Sequence, residues 1–144
     1  MKRKAAGPAI SVYRKVAAGV SDAWIRSVAE AAFKAAGAAG PAELGVALVG
    51  DAEIRRLNRK YRGKDKTTDV LSFGYGNGML GDIIISVPQI RRQAKENGAG
   101  FRRELAMMLA HGCLHILGHD HAGKLEAARM FGLQDSILKR LGLW

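Results

Sequence analysis

RRELAMMLAHGCLHILGHDH, residues Arg102 to His121, contains the strongest regular pattern in the chain. Leu105, Met108, Leu109, Leu114 and Leu117 are available for a core and no breaker interrupts the stretch, so a helix is predicted over Arg102 to Leu117. Gly118 stops it, because glycine enters the left-handed conformation that ends a helix without a Cβ penalty. All four histidines of the protein, His111, His115, His119 and His121, fall in the final eleven residues of this stretch. The predicted central helix therefore carries core residues along its length and a cluster of ligand-type side chains at its end.

On the C-terminal side, Leu125 to Leu141 reads as an amphipathic helix. On the N-terminal side, Pro88 to Asn97 reads as a short polar helix broken by Gly98 and Gly100, and it follows the apolar strand Asp82 to Ser86. A glycine-rich loop from Gly74 to Gly81 separates that strand from Val70 to Phe73. Before these, Asp51 is placed to cap a helix with Ile54, Leu57 and Tyr61 on its apolar face and basic residues opposite. Leu44 to Val49 is a further strand. Ser21 or Asp22 caps a helix marked by Trp24, Ile25, Val28, Ala29, Ala32 and Phe33, which Gly37 and Gly40-Pro41 end. Ala9 to Val16 alternates as a first strand. Strands interleaved with helices, then helices alone, predict an α+β fold: a small mixed β-sheet packed with about five helices, the metal site at the end of the central helix.

The chain has 144 residues, and the whole span 1–144 is expected to form one domain with a basic tail at residues 1–8. Its 23 Lys and Arg against 13 Asp and Glu leave a net charge of +10, which calls for an anionic partner such as nucleic acid. No apolar stretch approaches the ~18 residues of a membrane span, and Arg14 and Lys15 interrupt what would be a signal peptide's apolar region. A soluble, cytoplasmic protein without a membrane partner is expected, and the single cysteine, Cys113, fits a reducing compartment.

His111 and His115 are one helical turn apart, so both imidazoles leave the same face and can share a metal ion. The turn at Gly118 lets His121 reach the same ion. Three imidazoles with a position left for water are the ligand count of a catalytic site. His119 and Asp120 read either as groups orienting a ligand or as turn residues, and Cys113, about half a turn away from the ligand face, as core. The spacing is also that of metzincin proteases, but their general base occupies the position of Gly112 here.

Three segments in order, LNRKYRGKDKTTDVLSF at Leu57 to Phe73, LGDIIIS at Leu80 to Ser86 and HGCLHILGHDH at His111 to His121, resemble the YbeY family of bacterial rRNA-maturation endoribonucleases. The similarity runs from about Gly45 to MFGLQDSILKRLG. The resemblance implies a single-strand-specific, metal-dependent, cytoplasmic endoribonuclease that matures the 3′ end of small-subunit (16S) rRNA and serves ribosome quality control. It places one Zn²⁺ per chain on His111, His115 and His121, and the family's motif arginine on Arg62. It implies single-stranded RNA, small-subunit rRNA and the small ribosomal subunit as partners, with a ribosomal protein or an assembly GTPase as a candidate further one. Departures are Gly74 in place of a proline, a short loop from Gly74 to Gly78, and Gln134 where an acidic residue is common.

The residues agree with an RNA partner. Seven of the 12 residues from Arg55 to Lys66 are cationic, and Arg55, Arg56, Arg59, Lys60 and Arg62 are the candidate phosphate contacts. Arg62, between Tyr61 and Gly63, is placed at a turn where its planar fork can hold a phosphate, which makes Arg62 and His111 the candidate catalytic pair. Asp65, Thr67, Thr68 and Asp69 are expected to shape the turn, Asp82 to sit at a turn and strand edge, and Glu104 to lie at the surface. Two other readings compete: a zincin-like metallopeptidase lacking its glutamate base, and a ribosome-assembly factor whose metal is structural.

Overall fold

In a computed structural model the described residues are 9–37, 43–75, 80–118 and 123–143. The basic tail at 1–8, the Gly40-Pro41 break, the middle of the glycine-rich loop, and His119, Asp120 and His121 lie outside them. The elements follow one another as β1 (Ala9–Arg14), α1 (Asp22–Ala35), β2 (Glu43–Val49), α2 (Asp51–Arg62), β3 (Val70–Tyr75), β4 (Leu80–Ser86), α3 (Val87–Glu96), α4 (Phe101–Ile116) and α5 (Lys124–Arg140). The sheet order is β1-β2-β4-β3. β1, β2 and β4 run parallel and β3 returns antiparallel to β4, giving the mixed sheet that the sequence predicts.

The period-two alternation of strands divides the sheet's apolar side chains between two faces. Leu44, Val46 and Leu48 of β2 and Ile83 and Ile85 of β4 are buried with Ile25, Val28 and Ala32 of α1 and Leu105, Leu109 and Leu114 of α4. On the other face, Val49 and Leu71 close on Ile54 of α2, with Leu57, Phe73 and Ile84 packed around them. α5 packs on α1 and α4, and α3 on α4. The edge strand β3 thus lies between the last turn of α2 and the last turns of α4.

Several local expectations are corrected by packing. Asp51 does not cap α2: Gly50 is the N-cap, without a side-chain bond. The Asp51 carboxylate instead accepts from Ser86 Oγ (2.8 Å) and from both terminal nitrogens of Arg92 (2.9 Å each), tying α2 to α3, and Arg92 holds its pKa below the ordinary carboxylate value. The Gly74–Gly81 segment is strand at both ends, with Gly74 opposite Gly81 and Tyr75 opposite Leu80. Asp82 belongs to β4, which is paired on both sides, and its carboxylate accepts from the Tyr75 hydroxyl at 3.0 Å. Tyr61 is exposed and sets its ring edge against Phe73 instead of entering the core. Glu104 is only 2 % exposed, its Oε1 facing Gln93 and Asn97 of the α3 end at 3.4 and 3.5 Å. The α3–α4 contact, invisible in helical periodicity, is what buries it.

Candidate active site

Two helix ends and one strand edge make the site. α2 closes at Gly63, whose φ of 68° is left-handed and whose N–H donates to the Arg59 carbonyl, while the following Lys64 N–H donates to the Asn58 carbonyl. That turn sends the chain back along the sheet edge. Asn58, buried, donates from Nδ2 to the Lys66 carbonyl at 2.9 Å and pins the connecting loop. Arg62, the last residue of α2, donates from Nη2 to the Ser72 carbonyl of β3 at 2.9 Å, and its guanidinium lies 5.2 Å from the centre of the Phe73 ring. One of its five N–H donors is spent on the strand edge, and the planar head is held in one orientation.

α4 supplies the opposite wall. The His111 and His115 rings meet edge to face with centroids 4.6 Å apart, as their one-turn spacing predicts. His111 Nδ1 lies 2.9 Å from Oε1 of Gln134, a buried residue of α5. Leu117 is the C-cap of α4, and Gly118 follows with φ 94°, the helix-ending conformation expected of it. His121 lies outside the described residues, and among the described residues no third His, Cys, Asp or Glu joins the pair.

Between these walls runs an open groove of about 740 Å³, lined by Arg62, Lys64, Lys66, Thr68, Ser72, His111 and His115 among others. The structure therefore brings Arg62 to the two histidines across an intervening stretch of some fifty residues. It does not bring Arg55, Arg56, Arg59 or Lys60 there. Arg55 pairs with Asp65 at 2.9 Å and Arg56 grips Glu53 with two donors, both on the exposed face of α2. Lys60 lies over the Tyr61 ring. The cations that do line the groove beside Arg62 are Lys64 and Lys66. No periodic signal in the sequence marks these two: they lie in the connection between α2 and β3, outside the alternation of a strand, and the fold turns them into the groove.

Two groups are excluded from the chemistry by their surroundings. Cys113 is fully buried, and burial pushes its thiol up to about 12, so no thiolate nucleophile is available at neutral pH. Iodoacetamide at pH 7.5 is expected to leave native protein unmodified and to label Cys113 only after denaturation; rapid labelling of the folded protein would contradict the burial. Gly112 faces the sheet, where a Cβ would stand 3.1–3.3 Å from three carbons of Ile83. At the position that carries a protease's glutamate base, even a Cβ would require Ile83 to give way by a few tenths of an ångström. Among the described residues no helix is long and apolar enough to cross a membrane.

Comparison with known proteins agrees with this architecture. A family model described as endoribonuclease YbeY matches residues 12–142. The chain is 47 % identical over 133 residues to an endoribonuclease YbeY of Moorella thermoacetica, covering 83 % of this chain and 85 % of that one. It is 42 % identical over 130 residues to the Desulforamulus reducens protein of the same name, with the same coverage. The solution structure of TM1509 from Thermotoga maritima superimposes with a TM-score of 0.66 at 24 % identity, covering 92 % of this chain and 91 % of that one, and shares the fold. With the family model matching residues 12–142 of this chain and relatives 42 to 47 % identical over most of it, the chain belongs to the endoribonuclease YbeY family, whose substrate is RNA.

Proposed function

We propose that this protein is a zinc-dependent, single-strand-specific endoribonuclease of the cytoplasm that matures the 3′ end of 16S rRNA in the small ribosomal subunit and takes part in ribosome quality control. The observation that carries the reading is the shared groove: Arg62, Lys64 and Lys66 on one side, His111 and His115 on the other. The donor set fits the ion. Two imidazoles stacked edge to face on one helix suit a borderline-soft divalent metal, and His121 would complete a three-histidine site. When bound, such an ion supplies Lewis acidity, lowering the pKa of a water toward neutrality and stabilising charge on a phosphoryl oxygen.

The chain's own residues do the rest. The Arg62 head, anchored to the Ser72 carbonyl and Phe73 ring, turns its remaining donors to a phosphodiester in the groove and neutralises charge that grows in the transition state. Lys64 and Lys66 hold neighbouring phosphates by charge alone. The close packing of Gly112 against Ile83 weighs against the metallopeptidase reading, because the groove lacks that base.

The test is cleavage of short RNA by protein stripped with chelator and reloaded with zinc. Cleavage of single strands that returns with zinc, with duplexes spared, is expected. Stoichiometric metal in a protein without cleavage would favour an assembly factor with a structural ion, and peptide hydrolysis would favour the peptidase. A second expectation separates the groove from the outer face of α2. Lys64→Ala and Lys66→Ala should each lower the slope of log affinity against log salt by about one. Replacing Arg55 and Arg56, already paired with Asp65 and Glu53, should lower it less. Equal effects from both sets would put the RNA track on the helix face.

A further inference from the structure

The buried face of α5 consists of Met130, Gln134, Ile137 and Leu138. Three of these are apolar, and a Leu at the second would complete a continuous hydrophobic stripe against α1 and α4. A glutamine amide 5 % exposed at this place loses its hydration and is tolerated only with hydrogen-bond partners in return. Its Oε1 lies 2.9 Å from His111 Nδ1.

A side-chain carbonyl oxygen only accepts, so this contact requires the imidazole proton to be on Nδ1. The neutral ring then carries its lone pair on Nε2, at the far edge of the ring from α5, and His111 lines the groove. We infer that Gln134 is a positioning residue: it selects the Nδ1–H tautomer of His111 and fixes the ring so that Nε2 is presented to a metal ion in the groove. The inference rests on the reading of His111 as a metal ligand. Its chemical consequence is particular to an amide. Glutamine orients the ring without adding negative charge beside the ligand, so the ion's positive charge toward a phosphodiester is undiminished, whereas a carboxylate in the same place would offset part of it.

The experiment has two readouts, the first needing no metal. Imidazole nitrogen shifts of His111 in metal-free protein should report the Nδ1–H tautomer, and Gln134→Leu should let the ring exchange between tautomers. Gln134→Glu retains an acceptor and should retain the tautomer. Zinc affinity by competition with a chromophoric chelator should then fall about 10- to 100-fold in Gln134→Leu and recover in Gln134→Glu. Gln134→Met, unbranched and without an acceptor, repeats the measurement if Gln134→Leu does not fold. A wild-type ring protonated on Nε2, or a folded Gln134→Leu or Gln134→Met protein that binds zinc like wild type, would overturn the inference. A wild-type protein that binds no zinc would instead remove the metal reading, and the tautomer alone would then decide whether Gln134 holds the ring.

Discussion

His115→Ala is expected to reduce bound metal from near one ion per chain to a small fraction and to lower RNA cleavage by at least about a thousandfold. The size follows from the part removed: Lewis-acid stabilisation worth several kcal/mol, with each 1.36 kcal/mol a factor of ten in rate. The loss should be separable from misfolding. The core face of α4 is built by Leu105, Leu109, Leu114 and their neighbours, all fully buried, whereas His115 is partly exposed on the groove wall. The thermal transition of metal-free His115→Ala should therefore lie close to that of metal-free wild type. His121→Ala should lose metal in the same way. The measurement is elemental analysis of dialysed protein beside cleavage by wild type and variant purified identically, since basic proteins carry contaminating nucleases. Full metal content and equal cleavage in the variants would withdraw the histidine assignment.

Arg62→Lys is expected to cut single-turnover cleavage by about 30- to 1000-fold, corresponding to ~2 to 4 kcal/mol of transition-state stabilisation, while RNA binding changes far less. Net charge is preserved by the substitution, so bulk electrostatics cannot account for a loss of that kind. What disappears is geometry. A lysine has no planar head to rest on the Phe73 ring while donating to the Ser72 carbonyl, and no fork to present two donors to one phosphate. Lys64→Ala is the contrast: it removes a charge from the groove and should weaken binding with a smaller effect on the bound-state rate. Single-turnover rates and affinities on the same short single-stranded RNA check both, and wild-type cleavage by Arg62→Lys would return Arg62 to the general basic surface.

The strongest local patterns in the sequence were sufficient for the elements. The apolar residues from Leu105 to Leu117, the cap expected at Ser21 or Asp22 and formed by Ser21, the strand pattern of Leu44 to Val49 and the glycine stop at Gly118 each report a backbone preference that neighbouring residues impose within one or two turns. The His111–His115 pair was legible for the same reason: a one-turn spacing on a helix fixes which side chains can meet, whatever the helix packs against. The α+β class and the RNA partner also came from the chain alone, through the order of elements, the +10 charge and the three family segments.

Long-range packing decided the rest. Only the fold puts the end of α2 across a groove from α4, so that Arg62, Lys64 and Lys66 face the histidines while Arg55 and Arg56 turn outward to Asp65 and Glu53. Only the α3–α4 contact buries Glu104, and only the α4–β4 contact closes the space beside Gly112 against Ile83. Gln134 illustrates the boundary between the two kinds of information: helical periodicity assigns it to an inward face, but its partner is a histidine 23 residues earlier on another helix. Periodicity carries the direction in which a side chain leaves its own element. The identity of what it meets is set by the crossing of separate elements, and that is a property of the tertiary structure.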